Sequence, residues 1–81
     1  MDVRALFFAS YRELIGTSAM ELRVPDGATV ADLVGELRAR GAPWDRLPRD
    51  PAVAVNLEYA PAETLLAPGD EVAFIPPVAG G

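Results

Sequence analysis

Thr29-Val30-Ala31-Asp32-Leu33-Val34-Gly35-Glu36-Leu37-Arg38-Ala39-Arg40-Gly41 decides the fold, because it is the one long helical pattern in a chain of 81 residues. Val30, Leu33, Val34 and Leu37 recur at i, i+3, i+4 and i+7, the stripe of an amphipathic helix. Thr29 suits the N-cap, with Asp32 three residues on. Arg38 and Arg40 fall where the helix dipole favours cations, and Gly41 offers a stop. Gly35, in the middle, costs about 1 kcal/mol against alanine. That cost is explained if the helix lies close against a sheet.

Strand patterns stand on both sides of this helix. Residues 3–9 alternate, with Val3, Ala5 and Phe7 on one face and Arg4, Leu6 and Phe8 on the other. Bulk on both faces predicts a central strand. Ser10 with Glu13 fits a capping box, and Leu14-Ile15-Gly16 closes a single helical turn. Met20, Leu22 and Val24 then alternate with Ala19, Glu21 and Arg23 in a half-buried strand that ends at Pro25-Asp26-Gly27. It is near enough in sequence to pair with the first as a hairpin.

Beyond the helix, residues 41–51 read as a loop carrying Pro43, Pro48, Pro51 and an anchoring Trp44. Residues 52–59 read as one strand, with Val53, Val55, Leu57 and Tyr59 on a common face. Residues 61–66 suggest a turn or a short 3₁₀ piece, and Pro68-Gly69-Asp70 a tight turn. Residues 71–75 form the last strand, with Val72 and Phe74 opposite Ala73 and Ile75.

The resulting order is ββαββ, an α+β class. The first and last strands are the most apolar, so they belong side by side in the middle, and the crossover rule makes them parallel. This is the β-grasp, or ubiquitin-like, arrangement: a mixed sheet of four to five strands with one long helix on one face. Residues 1–76 are the expected domain, and residues 77–81 an extended tail.

Composition removes several function classes. The chain is 51% apolar and 23% charged, which fits a globular domain rather than disorder. Its net charge is -5 and every cation is an arginine, with no basic cluster, so nucleic acid and anionic membrane surfaces are not expected partners. Cysteine and histidine are absent, which removes thiol nucleophiles, the usual zinc ligands and a ready acid/base at neutral pH. The carboxylates are scattered over predicted turns and solvent faces, and the glycines are isolated until the terminus, so neither an acid/base pair nor a phosphate-cradling loop is visible. No apolar run approaches the roughly 18 residues needed to span a bilayer, and no signal peptide is visible, which makes the cytoplasm the expected location.

What remains is the ending Phe74-Ile75-Pro76-Pro77-Val78-Ala79-Gly80-Gly81. Pro76 and Pro77 have no N–H for a ladder and stop the sheet. Val78, Ala79, Gly80 and Gly81 extend at most about 13 Å further. Glycine has no Cβ to clash in a narrow channel, and a glycine carboxylate is unhindered when an enzyme activates it. Stiff prolines at the root reduce the entropy lost when such a tail is threaded into a partner.

Leu6-Phe7-Phe8-Ala9 with Arg12-Glu13, then Val55-Asn56, then the run from Gly69-Asp70-Glu71 to Pro76-Pro77-Val78-Ala79-Gly80-Gly81 closely resemble the small subunit of molybdopterin synthase. The likeness spans the chain, and the Pro-Pro-Val-x-Gly-Gly ending is its most specific part. The resemblance implies a β-grasp sulfur carrier that is not an enzyme on its own. An E1-like adenylyltransferase would use ATP to adenylate Gly81, and a sulfur donor protein would supply the sulfur of a thiocarboxylate. The tail (Pro76, Pro77, Val78, Ala79, Gly80) would then enter the synthase large subunit, within a heterotetramer, and convert cyclic pyranopterin monophosphate to molybdopterin. The chain itself would bind no cofactor and no metal. The sheet face away from the helix, with Phe8, Ile75, Leu6 and Ala73, would be the partner interface, and Arg12 would assist docking. Two alternatives stay open on the residues: a carrier for thiazole or tRNA thiolation, and a ubiquitin-like binding module whose terminus is never activated.

Overall fold

The alternation of Val3, Ala5 and Phe7 builds strand β1 (Asp2–Phe7) in the computed structural model, which describes residues 1–77. Helix α1 (Ala9–Ile15), strand β2 (Ala19–Arg23) and helix α2 (Val30–Arg38) follow, then a 3₁₀ turn over Trp44–Arg46. Strands β3 (Ala52–Val55), β4 (Glu58–Ala60) and β5 (Glu71–Ile75) complete one sheet in the order β2-β1-β5-β3-β4. β1 and β5 are parallel and flanked on both sides, as the crossover rule requires, while β1 pairs antiparallel with β2. The β-grasp arrangement is therefore present, with five strands.

α2 starts where its sequence signals place it. The Thr29 hydroxyl accepts from the Asp32 backbone N–H at 3.2 Å, and the Asp32 carboxylate accepts from the Thr29 N–H at 2.9 Å. This reciprocal box satisfies two of the donors that a helix start leaves orphaned. Val30, Leu33, Val34 and Leu37 then meet Val3, Ala5, Phe7, Val53, Val72 and Phe74 in one core. Gly35 does not serve close approach: it is exposed, and a Cβ built on it meets nothing within 4 Å.

Four local expectations are corrected. α1 is a seven-residue helix rather than a single turn, so α2 is not the only helix. Ser10 does not cap it. Phe8 is the N-cap, extended at φ −120° and ψ 155°, and its carbonyl accepts from the Tyr11 and Arg12 N–H groups. Ala9 at φ 47° turns the chain there, so β1 ends at Phe7 and not at residue 9. The third predicted strand is in fact a hairpin. Asn56 and Leu57 both take positive φ (49° and 74°), as a two-residue type I′ turn demands, and β4 returns alongside β3.

Residues 41–51 are tied down more firmly than a plain loop. Leu47 is buried, and the Trp44 ring lies 6.0 Å from that of Phe7. The Arg38 guanidinium donates to the Leu47 carbonyl at 2.9 Å and to that of Asp45 at 3.2 Å, so this cation holds the loop as well as complementing the helix end. No helix among the described residues is long and apolar enough to cross a membrane.

Candidate functional site

The sheet has two faces, and α2 covers one. Strand alternation turns Leu6, Ala73, Ala54 and Ala19 to the other, and the strand registers set them in a row. Leu6 pairs with Ala19 and Ala73, Ala73 with Ala54, and Ala54 with Tyr59, so one uncharged row crosses all five strands. Ile75 opposite Ala52 forms the next row toward the C-terminal end. Phe8 continues the backbone past Phe7, which pairs with Phe74, and so stands level with Ile75.

The opposite end of the same face is charged. Arg4 pairs with Glu21 on one side and Glu71 on the other. Because β1 and β5 are parallel, this face grades from charged at the strand starts to apolar at the strand ends. The chain leaves the sheet at that apolar end, through Pro76 and Pro77.

Exposure separates the expected interface residues. Phe8 is 47% exposed, Leu6, Ala73 and Ile75 are half-buried, and Arg12 is exposed in the last turn of α1. Phe8, Leu6, Ala73 and Ile75 thus share one apolar surface beside the tail root. Among the described residues the Arg12 guanidinium forms no hydrogen bond or ion pair. Of the expected tail, Pro76 is half-buried and Pro77 exposed. Val78, Ala79, Gly80 and Gly81 lie outside the described residues, so their expected roles are carried forward as a proposal.

An open groove of about 510 Å³ runs along the root of the tail, lined by Tyr11, Pro48, Pro51, Tyr59, Ile75 and Pro76. Tyr11 forms its buried wall, and desolvation raises its phenol above the ordinary value. Tyr59 is the residue that sequence reasoning misplaced. It is 77% exposed and stands opposite Ala54 on the outer face, not with Val53 and Val55. The missed signal was Asn56, a residue that tolerates the left-handed region and so marks a hairpin turn inside an apparently continuous alternation. Pro48 and Pro51 carried no signal beyond punctuation.

The acidic groups form no cluster of three or more metal-ligating side chains among the described residues.

Comparison with known proteins adds to this geometry. A family model described as the ThiS family matches residues 5–81, that is, through the final glycine. The molybdopterin synthase sulfur carrier subunit of Mycobacterium tuberculosis is 43% identical over 86 residues, covering 100% of this chain and 99% of the relative. The protein of the same name from Escherichia coli is 41% identical, covering 98% of this chain and 99% of the relative. Among solved structures, a putative molybdopterin converting factor subunit 1 from Pyrococcus furiosus superposes with a TM-score of 0.84 at 31% identity, covering 96% of this chain and 99% of the other.

Proposed function

The chain belongs to the ThiS family, and on that footing we propose that it is the sulfur carrier subunit of a molybdopterin synthase, with the Gly81 carboxylate as its working group. The observation that carries this reading is the full-length match, which runs into the Gly80-Gly81 end beside an apolar docking face.

The chemistry asks little of the fold. A carboxylate oxygen of Gly81 attacks the α-phosphorus of ATP on an E1-like enzyme, forming the acyl-adenylate and releasing pyrophosphate. Hydrosulfide released by a donor protein then attacks the carbonyl carbon, AMP leaves with the C–O bonding pair, and the resulting thioacid loses its proton to leave a thiocarboxylate. ATP is used by the activating enzyme, and the carrier holds no cofactor of its own.

This chain's own residues supply presentation. Pro76 and Pro77 stiffen the root, which reduces the ordering entropy of insertion. Phe8, Ile75 and Leu6, joined by Tyr59, give the large subunit an apolar surface, and Arg12 lies on the adjoining helix. Val78, Ala79 and Gly80 are the slim residues behind the reacting carbon. An apolar patch left open on a small sheet marks such a contact.

Reconstitution tests the reading. The thiocarboxylated chain, mixed with a synthase large subunit and cyclic pyranopterin monophosphate, is expected to yield molybdopterin. Absence of product while a known carrier succeeds in the same mixture would refute it.

A further inference from the structure

An acyl-adenylate accepts any nucleophile within reach, not only sulfur. Carriers activated at their ends are therefore at risk of acylating each other or themselves. In such a step an amine nitrogen forms a C–N bond to the Gly81 carbonyl carbon. The C–O bond to AMP breaks, AMP leaves with the electron pair, and the amine gives its proton to water.

Nothing on this chain is suited to that attack. All seven cations are arginines, whose guanidinium stays protonated, and there is no lysine, cysteine or histidine. The α-amino group of Met1 is engaged. It donates to the Val24 carbonyl at 2.6 Å and lies 3.6 Å from the Asp26 carboxylate, so attack would require loss of a proton and of both contacts.

Topology separates it from the tail as well. Arg4 is level with Glu71 in the parallel β1–β5 pair, so Met1 and Ile75 lie at opposite ends of the sheet. Seven residue levels at about 3.3 Å each place them about 23 Å apart. The six residues after Ile75 reach at most about 22 Å even fully extended and reversed, and the turn needed for reversal shortens that.

We propose that this chain is built to refuse amide formation with its own activated terminus, so that only an amine or sulfur nucleophile on another protein or substrate receives the acyl group in that way. The inference rests on the adenylation reading above, and the experiment separates the two. The full chain is incubated with its activating enzyme and ATP but no sulfur donor, and intact masses are read. Added hydroxylamine is expected to trap the carboxyl as a hydroxamate. Failure of that trap overturns the adenylation reading and this inference with it.

With the trap working but omitted, wild type is expected to show neither a cyclised chain, one water lighter, nor an amide-linked dimer. Either species overturns the inference alone. R46K/R49K, which places amines on the exposed loop, is expected to form amide-linked oligomers under the same conditions. If it stays monomeric, lysine content is irrelevant and the inference is wrong. A second readout needs no enzyme: N-hydroxysuccinimidyl acetate at neutral pH is expected to label Met1 at least tenfold more slowly in the folded chain than in urea. Equal rates would show that the amine is free.

Discussion

Phe7 and Phe8 are neighbours in sequence with opposite fates: 1% exposed on the helix side of the sheet, and 47% exposed at the end of its outer side. Phe7 packs 5.2 Å from the Phe74 ring and 6.0 Å from Trp44, within a core that seats α2. Phe8 follows the end of β1, caps α1 with its carbonyl only, and leaves its ring about half-exposed beside Ile75 and the tail root. The same side chain contributes folding energy on one face and costs solubility on the other. The inner face makes the protein, and the outer face leaves apolar side chains partly exposed beside the tail root.

That contrast can be broken from the inside first. Phe74→Ala removes a fully buried ring at the centre of the sheet and is expected to cost about 3–5 kcal/mol in chemical denaturation, enough to unfold much of so small a domain. If Phe74→Ala proved as mild as a surface change, the assignment of the inner face would be wrong.

Asn56 comes next. Its side chain donates to Asp70 at 2.8 Å and accepts from the Glu71 N–H at 3.0 Å, binding the β3–β4 turn to the start of β5. Asn56→Ala loses both bonds and the residue type that tolerates φ 49°, at an expected cost of about 1–2 kcal/mol.

Gly35→Ala should act with the opposite sign. The site is helical, exposed and open, so alanine is expected to stabilise by about 0.5–1 kcal/mol and raise the melting temperature. Destabilisation there would reveal a contact at α2 that the geometry lacks.

The smallest stability effect belongs to the outer face. Phe8→Ser with Tyr59→Ser is expected to change unfolding free energy by no more than about 0.5 kcal/mol each. Calorimetric titration against the large subunit should nevertheless show at least a tenfold loss of affinity. Unchanged affinity would move the docking surface elsewhere.

Sequence made the inner face legible because burial there obeys simple periods. The 3.6-residue stripe of α2 and the two-residue alternation of Val3, Ala5, Phe7, Val72 and Phe74 leave one arrangement that buries them all. The parallel β1–β5 pair followed from apolarity and chain handedness. What escaped was local backbone geometry. Asn56-Leu57 and Ala9 take left-handed angles that an alternation count does not see, so such a count runs the third strand through its turn and carries β1 on to Ala9. Both slips fell just past the end of a strand, where a turn or a helix start takes over from the alternation. Tyr59 was misplaced for that reason, whereas Leu6, Ala73 and Ile75 were placed correctly because their strands continue without interruption.

The central claim is that the reacting atom is the Gly81 carboxyl carbon and that the folded body only presents it. Incubating the chain with activating enzyme, ATP and sulfur donor, then localising any mass change by fragmentation of the intact protein, tests this most directly. The expected result is one oxygen exchanged for sulfur at Gly81, and none in a chain lacking Gly81 whose melting temperature is unchanged. An exchange mapped to any other residue, or no exchange while a known carrier is converted alongside, would contradict the account.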